Sequence, residues 1–252
     1  MPFPPVELRA HTAFSFGDGA LTPEALIRRA AELGYGAIGI TDTADVGGIV
    51  RAALTAKDQG IRIIAGAELC VDGHPAAFLA RDPAGYRNLA ALVTESRVGI
   101  WKTWEKAHAG MLRGQPNVTW AQVMQHSEGL HALTGPASGA CATLIRADQR
   151  DRADRQLAEW KEVFGERLAV EVHLHHVDGH EAVLAAELIR LAGRGRVPWV
   201  AAQAKGVIFL VEGNGEYWRR ESIFWMSPRE WSKSSQHHAE HQCNEPTHRW
   251  PR

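Results

Sequence analysis

The first 66 residues alternate short apolar runs with amphipathic stretches of helical period, and that rhythm constrains the fold more than any other feature of the chain. Val6 to Ala10, residues 37–41 and residues 61–66 read as strands, and residues 23–33 and 46–59 read as helices. The first helix has its punctuation in place. Thr22 is a predicted N-cap, Pro23 stands at the first helical position, Glu24 is in the first turn, and Gly34 lies just past the end. Leu26, Ile27, Ala30 and Leu33 recur at helical spacing, so one face of this helix should pack on a sheet. Strands that alternate with helices predict a parallel sheet covered by its crossover helices, with functional groups gathered at the C-terminal strand ends.

The pattern continues with strands at residues 130–135, 169–173 and 197–201, an amphipathic stretch at 151–164 and a helix at 181–192. In that helix Val183, Leu184, Leu188 and Leu191 keep helical period up to Gly193. The α/β character persists to about residue 206, so residues 1–206 are expected to form one barrel-sized domain. Residues 207–252 are dense in Trp and His without a clean period, and are expected to be a divergent tail from a truncated or frame-shifted gene. The stretch 99–117, with Trp101, Lys102, Trp104, Lys106, His108 and Arg113, reads as an excursion between barrel units. Its basic and aromatic mix suits either single-stranded DNA or ordinary packing on the barrel.

A net charge of -1 and a pI near 6.9 exclude a protein that coats nucleic acid by bulk charge, so any DNA contact is expected to be local. Cys70, Cys141 and Cys243 are widely spaced, which suggests neither a disulfide framework nor a zinc knuckle. Cys70 and Cys141 read as buried small hydrophobes. No apolar run approaches the roughly 18 residues of a membrane span, and the N-terminus lacks a signal-peptide layout, so a soluble cytoplasmic protein with no membrane contact is expected.

Five blocks carry a family resemblance, in order along the chain: Glu7 to Leu69, Phe78 to Thr94, His126 to Ala140, Glu171 to His176 and Val197 to Gly206. They resemble the PHP (polymerase and histidinol phosphatase) domain at the N-terminus of bacterial DNA polymerase III α subunits and their error-prone relatives. The resemblance implies a distorted (β/α)7 barrel. It also implies up to three divalent metals at the C-terminal strand ends, held by His, Asp, Glu and Cys. Such a cluster suits phosphoester hydrolysis, because it generates hydroxide at neutral pH and neutralises the attacked phosphate.

Carried over by position, the ligand set is depleted. The family's HxH opening reads Arg9-Ala10-His11, so the first His is lost and His11 is kept. Asp18 and Glu68 match acidic ligands. The ligand His of the family's ITDHD motif is Thr43, and its LTGC cysteine is Pro136. The next ligand position falls on Pro75, beside His74. The closing Asp and His correspond to Ala204 and Gly206. His11, Asp18 and Glu68, with His74 as a substitute, therefore form either a reduced site for one divalent ion, Zn or Mn, or a set of polar turn caps that hold no metal. Arg9 brings a permanent positive charge and is expected to pair with Asp18 or Glu68.

Other histidines read more plainly. His173, His175, His176 and His180 are expected to be scattered surface residues, and His237, His238, His241 and Cys243 an adventitious group. The functional expectation is a catalytically degenerate domain with a structural or interaction role in replication or repair, packing on a polymerase body or a replication protein. The alternative is a metal-dependent phosphoesterase or 3′–5′ exonuclease working with the reduced site. No polymerase activity is expected from this chain alone.

Overall fold

The computed structural model describes residues 5–104, 116–173 and 179–201. The sheet path contains β1 (Val6–Ala10), β2 (Ala37–Ile40), β3 (Arg62–Val71), β4 (His74–Ala80), β6 (Leu130–Leu133), β7 (Leu168–Val172) and β8 (Trp199–Ala201), in that order, with β5 (Asn117–Val118) paired to β3. The helices are α1 (Pro23–Glu32), α2 (Gly47–Gln59), α3 (Pro83–Trp104), α4 (Trp120–Gln125), α5 (Ala140–Arg146), α6 (Arg150–Phe164) and α7 (Gly179–Gly195). A side chain of β1 pairs with one of β7 near the far end of the path, which shows that the sheet curls into a barrel-like trough.

The predicted start of α1 is present: the Thr22 hydroxyl accepts from the backbone N–H of Ala25 at 3.3 Å. Gly34 follows with φ +79°, a left-handed turn that ends the helix without a Cβ penalty. Ile27 and Ala30 are the buried face of α1, and Ile49, Ala52 and Ala56 that of α2.

The sheet is not wholly parallel. β4 runs antiparallel to both β3 and β6, while β1–β2, β2–β3, β6–β7 and β7–β8 are parallel. Asp72 and Gly73, at φ +46° and +87°, close β3 and β4 into a two-residue hairpin whose twist suits antiparallel strands. The two described ends of the predicted excursion are regular structure, with Asn117 in β5. Residues 99–104 are the last turns of α3, and residues 105–115 lie outside the described part.

Strand alternation sorts the core into two sides. Leu8, Ala37, Ile64, Ala77, Leu79, Leu133, Ala169 and Val200 pack together inside the trough. The larger cluster lies between sheet and helices, where Phe78, Trp120, Trp160 and Phe164 form a ring-on-ring stack. Trp120 and Trp160 are 4.9 Å apart there, joining α4 to α6. Gly39 in β2 sits where a Cβ would overlap the carbonyl oxygen of Leu8, so β1 and β2 approach closely only because this residue has no side chain.

Candidate functional site

A register shift between Glu7 and Ala10 sets up the centre of the site. Before it, Val6 and Leu8 share the inner side with Ala37; after it, Ala10 belongs to the outer cluster. Arg9 therefore turns into the trough. The N–H of Arg9 donates to the carboxylate of Glu7 at 2.9 Å, so a buried side chain satisfies a backbone donor at the bulge. Glu7 is itself buried, and that burial pushes its pKa up to about 8. The N–H groups of Arg9 and Leu8 oppose the rise, while the charge of Glu171 adds to it.

Within the trough Arg9 is shared by two carboxylates. One guanidinium nitrogen pairs with Glu68 Oε2, and Nη1 donates to Glu171 Oε1 at 2.9 Å. Side-chain exposure is 4% for Arg9, 15% for Glu68 and 0% for Glu171, so these charges are largely withdrawn from water. Glu68 has the parity of Ile64 on β3, and Glu171 that of Ala169 on β7, which is why both reach inward. His173 Nε2 lies 2.6 Å from the same Glu171 oxygen. Burial alone would raise the pKa of Glu171; Arg9 and His173 outweigh it and bring the value down to about 2.

Toward solvent, His11 Nδ1 pairs with Asp18 Oδ2, and His11 Nε2 stands 3.6 Å from Glu68 Oε2. The chain of groups thus runs Asp18, His11, Glu68, Arg9, Glu171, His173. The expected partner Glu68 is present for Arg9. Asp18 is engaged by His11 instead, and Glu171 takes the second place beside Arg9.

Asp42 holds the loop that carries Asp18. Fully buried, it accepts from Thr12 N at 2.6 Å, Thr12 Oγ1 at 2.7 Å and Ser15 Oγ at 2.7 Å. Ser15 Oγ in turn accepts from Thr43 N at 3.0 Å. Thr43 itself is exposed and meets Glu68 through a backbone bridge. His74 is opposite Val71 in the hairpin, with its ring 3.2 Å from the carbonyl of Ser138, so it does not join Glu68. Pro136 is half-buried in a turn whose carbonyl accepts from Gly139 N at 2.8 Å. Ala204, Gly206, His175, His176, residues 207–252 and the His237, His238, His241 and Cys243 group lie outside the described residues.

The donor set does not fit a divalent cation. The guanidinium stands between the two innermost carboxylates, where its fixed charge would repel a second cation. Among the described residues no three His, Cys, Asp or Glu side chains are grouped to hold an ion.

Sequence reasoning missed Glu171, Glu7 and Asp42, and misplaced His173. The last is not a surface residue: its side chain is 4% exposed and joins Glu171. The available signal was parity, since Ala169, Glu171 and His173 fall on one side of a strand. Cys141 is buried, and that burial pushes its thiol up to about 12, while Cys70 is only half-buried. No described helix is long and apolar enough to cross a membrane.

Comparison with known proteins gives a consistent picture. The family model described as PHP domain matches residues 7–175. The error-prone DNA polymerase of Anaeromyxobacter sp. (strain K) is 40% identical over 195 residues, covering 75% of this chain and 15% of that protein. The DNA polymerase III subunit alpha of Pseudomonas aeruginosa is 32% identical over 204 residues, covering 78% of this chain and 16% of that protein. The chain thus spans about a sixth of the length of these relatives. Among solved structures, an amidohydrolase from Chromobacterium violaceum with bound sulfate and no metal superposes with a TM-score of 0.54 at 18% identity. That alignment covers 92% of this chain and 96% of the other, and supports the barrel-like fold.

Proposed function

This chain belongs to the PHP domain family, and on that premise we propose that it is a non-hydrolytic member, serving as a structural or interaction module of a C-family polymerase in DNA replication or repair. The observation that carries the reading is the closure of the site on itself. Arg9 is bound by Glu68 and Glu171, and His11 by Asp18. Thr43 and Pro136 offer no metal-binding side chain where the family has a His and a Cys. Phosphoester hydrolysis in this family's manner needs metal-generated hydroxide and charge neutralisation at phosphate, and the guanidinium excludes the ions that would supply both.

What remains is the barrel-like scaffold of the described residues, whose use lies in the surface it offers. A polymerase body or a replication protein is the partner class, by similarity to proteins in which the matched region is about 15% of the chain. A cytoplasmic location follows from such a role. DNA contact is local and secondary, given a net charge of -1.

The test is hydrolysis of a chromogenic phosphodiester and of a 3′-mismatched primer, each with Mn²⁺ or Zn²⁺ added. No turnover above the protein-free blank is expected, for wild type and Glu68→Ala alike. Metal-stimulated turnover that Glu68→Ala abolishes would establish the phosphoesterase or exonuclease reading instead.

A further inference from the structure

We infer that Glu7 is the positioning residue of the trough: its carboxyl group holds the extra residue of β1 in place, and so decides that Arg9 and His11 face inward. Between the pairing of Glu7 with Ile38 and that of Ala10 with Ile40, two residues of β1, Leu8 and Arg9, stand against one of β2, Gly39. Strict alternation from Val6 and Leu8 would put Ala10 inside and turn Arg9 and His11 to the helix side. The extra residue reverses that. Ala10 joins the outer cluster, Arg9 reaches Glu68 and Glu171, and His11 Nε2 stands 3.6 Å from Glu68 Oε2.

One residue makes room for the bulge and another holds it. Gly39 lets the Leu8 carbonyl lie against its Cα, where a Cβ would overlap that oxygen. Glu7, itself buried, accepts from the N–H of Arg9 at 2.9 Å, a donor that the bulge takes out of the ladder. In an extended strand residues i and i+2 stand about 6.6 Å apart. A bond across Leu8 alone therefore favours the contracted backbone of a bulge. With that acceptor gone, the Arg9 N–H would be buried and unpaired in the bulged form, and the straight strand would be favoured by comparison.

A double-mutant cycle in urea at pH 6 tests this, with Glu171→Gln made in wild type, in Glu7→Gln and in Glu7→Met. Gln keeps the acceptor oxygen, while Met keeps the length and buries well but accepts no comparable bond. Glu171→Gln is expected to lower the urea midpoint by similar amounts in wild type and Glu7→Gln, because Arg9 faces Glu171 in both. In Glu7→Met the same substitution is expected to lower it by less than about half as much, or to raise it, since Glu171 is then a buried carboxylate without its guanidinium.

Equal losses in all three backgrounds would show that Glu7 stabilises β1 without setting the direction of Arg9, and would overturn the inference. So would a reduced loss in Glu7→Gln, which retains the acceptor. If Glu7→Met does not fold, amide hydrogen exchange of Arg9 in wild type and Glu7→Gln decides. Protection matching that of the paired β2 amides is expected in both, and fast exchange in either overturns the inference. Metal-stimulated hydrolysis by the wild type would overturn the non-hydrolytic reading and leave this role of Glu7 standing.

Discussion

Glu7 offers the sharpest test of the electrostatics of the trough, because it is buried, accepts from the backbone N–H of Arg9 at a bulge, and has a pKa pushed from 4.5 up to about 8. Glu7→Gln keeps an oxygen able to accept from the N–H of Arg9 and removes the ionisation. The sign follows from proton counts. Between pH 4.5 and about 8 the folded chain holds a proton on Glu7 that the unfolded chain has released. Wild-type stability therefore falls as pH rises through that window. At about 1.4 kcal/mol per pH unit, the full rise corresponds to roughly 3–5 kcal/mol. Urea unfolding of both proteins from pH 5 to pH 9 measures the difference, in which distant titrating groups cancel. The two are expected to be nearly equally stable at pH 5, with Glu7→Gln the more stable by a few kcal/mol at pH 9. Curves that stay parallel across this range, or a variant that is less stable at pH 9, would refute the assignment of Glu7 as a carboxyl held neutral by burial.

Glu171 should show the opposite trend, since its folded pKa is held at about 2 and its stabilising charge is present above pH 4.5 and lost as pH falls toward 2. Glu171→Gln is expected to cost about 3–5 kcal/mol at pH 7 by stranding part of the Arg9 charge, with the gap to wild type narrowing in urea midpoints taken at pH 3. Gly39→Ala drives a Cβ into the Leu8 carbonyl and is expected to cost about 1–3 kcal/mol or more. Thermal unfolding that left its Tm unchanged would show that β1 and β2 can separate without loss.

The order of strands and helices was legible in the sequence because hydrophobic period, caps and breakers act within a few residues of one another. The Thr22, Pro23 and Gly34 signals around α1 are of this kind. The depleted ligand set proposed for the site rests on sequence position alone, with Arg9, Thr43 and Pro136 read against a resemblance that covers most of the chain. Direction of pairing was not legible. The antiparallel β4 depends on a two-residue turn at Asp72 and Gly73, which the strand–helix rhythm overshadowed.

Nor could the sequence say what Arg9 meets. Its partner Glu171 is 162 residues away, brought close only when the sheet curls β7 round toward β1. Whether Arg9 faces inward at all rests on a register shift in β1 that moves every later side chain to the other side of the strand. The residues fix which charges exist. The curled sheet decides which of them are taken out of water together, and so makes the site an ion-pair network closed around Arg9.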